Sequence, residues 1–250
     1  DSYMKKNGGL ITKKDLKNDR PVWRDTLKGN YRQHEIVTMG PPSSGGIHII
    51  QMLNILEEYN LVAMGHNSPT YTALLTESMK YAYADRSEYL GDPSFFDVPV
   101  NSLISKAYAK QINKKIKLNV ITPSDKILPG AAMPSESPDT THFSVADVYG
   151  NVISNTYTLN SGFGSGIVID GTGVLMNNEM DDFVSAPGVP NQFGLVGGEA
   201  NKIEPFKRPL SSMTPTIVLQ DGKPVFATGS PGGSRIITAV LPFLLNTLDF

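Results

Sequence analysis

The 250-residue chain contains no cysteine. That excludes a disulfide scaffold, thiolate metal ligands and a cysteine nucleophile together, while leaving the cellular compartment open. Histidine is scarce: His34, His48, His66 and His142 are the only four, and none stands at metal-ligand spacing from another, so no zinc or other metal site is expected. An excess of one charge is also missing, with 22 Lys plus Arg against 24 Asp plus Glu and a net charge of -2. A nucleic-acid partner normally requires a marked basic surplus, so none is expected. Long apolar runs are absent too. Ile236–Leu245 is about half the ~20 residues needed to span a bilayer, which makes it a buried helix and leaves no membrane segment. Asp1–Lys6 has no apolar leader, and the chain stops at Thr247–Phe250 inside an apolar pattern, so both ends read as cuts within a longer protein.

What is present suffices for a core. Hydrophobic residues make up 40% and charged residues 18% of the chain, which argues against disorder. Charge is unevenly spread: residues 1–139 carry 17 basic and 15 acidic side chains, whereas residues 140–250 carry 5 and 9. The few ionised groups of the second part are therefore expected to be specific. Residues 1–36 show little periodicity. Pro41-Pro42-Ser43-Ser44-Gly45-Gly46 forms a rigid turn before apolar residues at helical spacing from Ile47 to Leu56. A second helix is predicted from about Thr70 to Tyr89 and a third from about Ser102 to Ile116, with a Pro- and Ser-rich mobile loop over 121–139. After Asp139 the period shifts towards two, predicting strands at Phe143–Val148 and Val152–Leu159 around a turn at Tyr149-Gly150-Asn151. A further hairpin is predicted from Ser211–Leu219 and Pro224–Thr228, then a helix from about Arg235. Helices first, strands next and a closing helix make an α+β fold centred on its sheets.

Four elements could carry chemistry. No Ser-His-Asp set is evident, so an acyl-transfer nucleophile would need another base. Thr140, freed at a chain N-terminus, would supply both a hydroxyl and an α-amine of pKa roughly 7.7–8.0. Two β-branched residues at a strand start are the plainer reading of Thr140-Thr141. Gly229-Ser230-Pro231-Gly232-Gly233-Ser234 leads into a helix and could aim backbone N–H groups at an oxyanion. A phosphate loop is disfavoured because no Lys follows, and a simple strand-to-helix turn is the alternative. Asn177-Asn178-Glu179-Met180-Asp181-Asp182-Phe183 could hold a cation such as calcium or a substrate ammonium, or form a solvated acidic turn. In Lys207-Arg208-Pro209-Leu210-Ser211-Ser212-Met213 the paired hydroxyls could bind a carboxylate or merely turn the chain.

In combination these motifs carry a resemblance. Pro42–Gly46, Tyr83-Ala84-Asp85-Arg86, Thr140-Thr141-His142, Asn178–Phe183, Pro209–Met213 and Gly229–Ser234 are similar, in the same order, to the motifs of γ-glutamyltranspeptidases. The resemblance runs through nearly the whole chain. It implies an N-terminal-nucleophile hydrolase fold, an αββα four-layer sandwich that would be incomplete at both ends. Residues 1–139 would be the C-terminal part of a large subunit and 140–250 the N-terminal part of a small one. The precursor would cut itself between Asp139 and Thr140. Thr140 would then take a γ-glutamyl group from glutathione or a similar compound, and pass it to water, an amino acid or a peptide. No cofactor is implied.

The resemblance also implies residue roles. Thr158 would orient Thr140, and Gly232 and Gly233 would form the oxyanion hole. Asp182, with Glu179 and Asn160, would bind the substrate α-ammonium, and Ser211 and Ser212 would help to hold its α-carboxylate. An arginine pairing with that carboxylate would lie upstream of residue 1. Many relatives carry Gln where Glu179 stands. Pro190–Leu195, within a long segment from Pro187 to Leu210, is similar to the lid over the pocket, and Phe193 stands where bacterial relatives often have tyrosine, which implies a looser lid. Asp139 stands where Asn is frequent, and cleavage through its carbonyl should tolerate it. The alternatives are a cephalosporin-acylase-like amidohydrolase acting on glutaryl groups, a γ-polyglutamate-processing relative, which would lack the long lid, and an inert homologue that never matures. A periplasmic or extracellular location is implied by the family alone.

Overall fold

A computed structural model describes residues 1–118, 120–127, 140–186 and 188–250. The helices are α1 (Ser2–Lys6), α2 (Lys13–Asn18), α3 (Gly45–Leu56), α4 (Leu61–Met64), α5 (Pro69–Tyr89), α6 (Val100–Leu103), α7 (Lys106–Asn113) and α8 (Arg235–Leu248). The strands are β1 (Leu27–Tyr31), β2 (His34–Thr38), β3 (Thr141–Ala146), β4 (Val152–Tyr157), β5 (Val168–Ile169), β6 (Val174–Leu175), β7 (Thr216–Gln220) and β8 (Lys223–Thr228).

The centre is an antiparallel sheet in the order β1-β2-β7-β8, joining strands from both ends of the sequence. Alternation along β2 and β7 turns Ile36 and Val218 to one face. There they join Ile49, Met52 and Leu53 of α3 and Ile237, Val240, Leu241 and Leu244 of α8 in one buried cluster. Each such side chain contributes roughly 1.5–3 kcal/mol when removed from water. Every residue of α3 is buried, because the helix touches β1 and β2 on one side and α5, α7 and α8 on others. The opposite sheet face carries Val37 and Ile217, which line a cleft with Ser154 of β4. The β3–β4 ribbon lies against β7 and β8 there, with Ser154 Oγ donating to the Thr228 carbonyl at 3.0 Å. Helices, sheet and ribbon are thus successive layers of the expected α+β sandwich. The outer side of the ribbon, at Phe143, Val145, Ile153 and Tyr157, is exposed.

Several expectations need correction. Strands do not wait until after Asp139: β1 and β2 form a hairpin whose alternation is short and interrupted by Gly29, which is why it escapes a periodicity reading. The predicted third helix is two, α6 and α7, broken at Ile104-Ser105. Ser105 adopts an extended conformation and its hydroxyl caps α7 by accepting from Tyr108 N–H. The strand expected from Ser211 begins only at Thr216. Ser211 instead forms an isolated parallel bridge with Ser43. Of the predicted mobile loop, Ser124–Lys126 is a 3-10 turn, and residues 128–139, with Asp139, lie outside the described residues. No helix among the described residues is long and apolar enough to cross a membrane.

Candidate functional site

Thr140 immediately precedes β3. The ribbon register pairs Thr141 with Tyr157, so Thr140 meets Thr158 just beyond the paired ends. The Thr140 hydroxyl donates to Thr158 Oγ1 at 3.4 Å, and Asn160 N–H donates to the same oxygen at 2.9 Å. Asn160 is buried at φ 75, held there as its side-chain amide donates to the Asn178 carbonyl at 3.1 Å. His142 is two residues along the strand, but its ring packs over Gly229 and is engaged by Thr156 and Ser144 at 2.8 and 3.0 Å. Burial lowers its pKa, which favours the neutral ring.

The glycine turn arrives from β8. Gly232 and Gly233 have φ 127 and 53, conformations that a side chain disfavours, and Arg235 N–H closes back on the Gly232 carbonyl at 2.8 Å to start α8. Among the described residues nothing accepts from the N–H groups of these glycines. They sit at the positive end of the α8 dipole. Tyr83 of α5 donates to the Ser234 carbonyl at 2.5 Å, bracing the turn from below.

Opposite lies the acidic 3-10 turn Glu179–Asp182. Burial first, then the neighbouring Glu179 carboxylate, pushes Asp182 up to about 7, with the Arg86 guanidinium pulling the other way. Burial raises Glu179 as well. Two close carboxylates cannot both ionise cheaply in such a place, so the pair retains a proton near neutrality. Asp181 points elsewhere and accepts from Gln192 N–H at 3.1 Å, tethering the following loop. In that loop Asn191 Oδ1 accepts from both Phe193 and Leu195 N–H at 3.0 Å. Phe193 is buried with its ring on Gly233: a Cβ there would stand 3.0 Å from Cδ1. An apolar contact therefore occupies the position where loss of a tyrosine hydroxyl implied looseness. Pro187, the expected start of the lid segment, lies outside the described residues.

Ser211 and Ser212 are held by the Pro41–Gly46 loop. Ser211 N–H donates to the Pro42 carbonyl at 2.8 Å, Ser44 N–H returns to the Ser211 carbonyl at 2.9 Å, and Ser43 Oγ donates to the Met213 carbonyl at 2.6 Å. Gly45 permits this approach, since a Cβ there would collide with the Met213 carbonyl and the Thr214 side chain.

One narrow cleft collects these parts: Thr140, Thr158, Asn160, Asp182, Phe193, Ser211, Ser212 and Gly233 line it. Glu179 and Gly232 are not part of this lining, and Asp139 is outside the described residues. Leu195, Met213 and Ser234, members of the motifs with no role of their own, and Ile236 of the apolar run also line it. Arg86 was visible only as part of a motif, with no role.

The family model for gamma-glutamyltranspeptidase matches residues 2–250. The chain belongs to the gamma-glutamyltranspeptidase family. Among curated relatives, the glutathione hydrolase proenzyme of Escherichia coli (strain K12) is 56% identical over 99% of this chain and 43% of its own length. The acylase ACY 1 proenzyme of Pseudomonas sp. (strain SE83) is 42% identical over 99% of this chain and 42% of its own length. The crystal structure of cephalosporin acylase from Bacillus halodurans superposes with a TM-score of 0.79 at 26% identity, covering 100% of this chain and 42% of that one. The fold of this gamma-glutamyltranspeptidase family member is accordingly that of the N-terminal-nucleophile hydrolases. The chain spans less than half the length of the curated relatives it matches.

Proposed function

We propose that the full-length protein is a γ-glutamyltransferase and glutathione hydrolase that acts through a γ-glutamyl ester on Thr140. Residues 1–139 belong to its large subunit and 140–250 to its small subunit. Maturation begins when the Thr140 hydroxyl attacks the Asp139 carbonyl. The peptide bond becomes an ester, and water cleaves it to leave an Asp139 carboxylate and a free Thr140 amine. That amine is the base the cleft otherwise lacks, since His142 is engaged elsewhere.

In turnover the amine takes the hydroxyl proton as Thr140 Oγ1 attacks the γ-carbonyl. The oxyanion faces the Gly232 and Gly233 N–H groups, and donors of this kind contribute about 2.7–4 kcal/mol each to the transition state. Collapse expels the leaving amine, which receives the proton. Water, an amino acid or a peptide then attacks the ester and regenerates Thr140. Thr158 positions the nucleophile. Asp182, Glu179 and Asn160 take the α-ammonium, Ser211 and Ser212 the α-carboxylate, and Phe193 belongs to the lid. No cofactor enters any step. A periplasmic or extracellular location accompanies this reading.

The carrying observation is that one cleft contains both an acidic group and a pair of serine hydroxyls beside Thr140 and Gly233. A zwitterionic head group needs that arrangement. The likeness to a cephalosporin acylase favours a second reading, hydrolysis of glutaryl amides, which offer no ammonium to Asp182. Kinetics on γ-glutamyl- and glutaryl-p-nitroanilide decide between them. The mature protein is expected to prefer the γ-glutamyl compound strongly, and a preference for glutaryl overturns the assignment. A full-length protein that stays uncut on a denaturing gel after long incubation supports the inert reading instead.

A further inference from the structure

Arg86 is 5% exposed, on the buried side of α5. A buried guanidinium ordinarily has a carboxylate beside it, yet among the described residues none lies within ion-pair distance of Arg86. Its two hydrogen-bond partners among the described residues are hydroxyls: Nε donates to Ser44 Oγ at 3.1 Å and Nη2 donates to Ser212 Oγ at 3.2 Å. Because a guanidinium only donates, both hydroxyl oxygens must act as acceptors towards it. Each O–H is then directed elsewhere. For Ser44 the outcome is visible, since its hydroxyl donates to the Ser211 carbonyl at 3.0 Å. For Ser212 no acceptor is present among the described residues, and the residue lines the cleft. Ser211 is in the same state: its oxygen accepts from Met213 N–H at 3.0 Å, and its proton is unclaimed.

We propose that Arg86 is a positioning residue for the head-group end of the site, one that polarises Ser212 so that its O–H points at the substrate α-carboxylate. The proposal rests on the γ-glutamyl reading and extends it to a residue from the other side of the expected cleavage point. The same guanidinium adds positive charge one hydroxyl away from the bound carboxylate, in a low-dielectric setting where that attraction is strong. The fork geometry matters. Nε and Nη2 reach two different serines at once, which a lysine ammonium on a flexible stem does not reproduce.

The test uses the mature full-length enzyme with Arg86→Lys, Ser212→Ala and the double variant. Two donors are compared: γ-glutamyl-p-nitroanilide, and 4-aminobutyryl-p-nitroanilide, which keeps the amine and lacks the α-carboxylate. Arg86→Lys is expected to raise KM for the γ-glutamyl donor about tenfold while changing kcat by less than about threefold. It should leave the 4-aminobutyryl donor unaffected, and the double variant should be no worse than Ser212→Ala. Losses that multiply in the double variant, or equal losses on both donors, overturn the role. So does an Arg86→Lys protein that fails to mature while Ser212→Ala matures, because that marks a purely structural residue. A parent enzyme that does not distinguish the two donors overturns the γ-glutamyl reading itself, and this proposal with it.

Discussion

At one end of the cleft, Thr140, Thr158 and Gly233 bring no ionised side chain. At the other, Asp182 and Glu179 crowd two carboxylates into a half-buried turn, with Arg86 buried behind Ser212. The first end is made of backbone geometry: a strand terminus and a left-handed glycine turn at a helix start. The second is made of charge in a low-dielectric setting, braced by the hydrogen bonds of the Pro41–Gly46 loop. The difference teaches a division of labour. Under the proposed function, fixed dipoles would meet the charge that develops during reaction, whereas ionised groups would meet charge the substrate already carries. Changes at the first end should therefore appear in kcat, and changes at the second in KM and its pH dependence.

The largest effect is expected for Thr140→Ala. Turnover should fall by at least about a thousandfold, and the full-length protein should remain a single band on a denaturing gel; a chain that still splits there breaks the assignment. Next comes Gly233→Ala, which puts a Cβ at φ 53 and 3.0 Å from the Phe193 ring. It should lower kcat by about a hundred- to a thousandfold with a modest change in KM, and a pure KM effect would erase the contrast between the two ends. Asp182→Asn should mainly raise KM for the γ-glutamyl donor, by about ten- to a hundredfold, as for a lost charged contact. Glutaryl-p-nitroanilide should be spared.

The smaller effects sharpen the comparison. Asp182, raised to about 7, feels the charges of Glu179, Arg86 and, more weakly, Asp181. An ammonium binds its carboxylate form, so KM should fall as pH rises through neutrality, with proton release on binding below that point. Glu179→Gln removes the like charge and should move this transition to lower pH. A KM profile identical in parent and variant would show that the two carboxylates do not interact. The smallest change belongs to Phe193→Tyr. With the ring already buried on Gly233, an added hydroxyl should alter burst and steady-state rates by no more than about threefold.

Legibility followed the range of the interactions involved. The Thr140 strand start, the Gly-Gly turn and the apolar run of α8 are local patterns, and they were readable as such. The bounds of α5 are legible to within a residue, because Ser68 caps it by accepting from Tyr71 N–H and Pro69 opens it. The break at Ser105 was hidden, since a serine within an apolar period looks like a solvent-facing position. The β1–β2 hairpin was hidden for another reason. Its stability comes from pairing β2 with β7, whose residues are remote in sequence. Arg86 stood in a motif, but only the packed structure sets it against Ser44 and Ser212.

By itself the sequence determined which segments could be helix or strand, where the backbone needs glycine, and which side chains could attack, donate or attract. Those follow from periodicity, dihedral sterics and functional groups, all properties of a residue and its near neighbours. Only the tertiary structure decided that residues 42–44 clasp residues 211–213, that Asp182 and the serines line one cleft, and that a cation lies behind Ser212. Such pairings form because many apolar surfaces are buried cooperatively in one packed core. That is a property of the whole chain, and no local pattern encodes it.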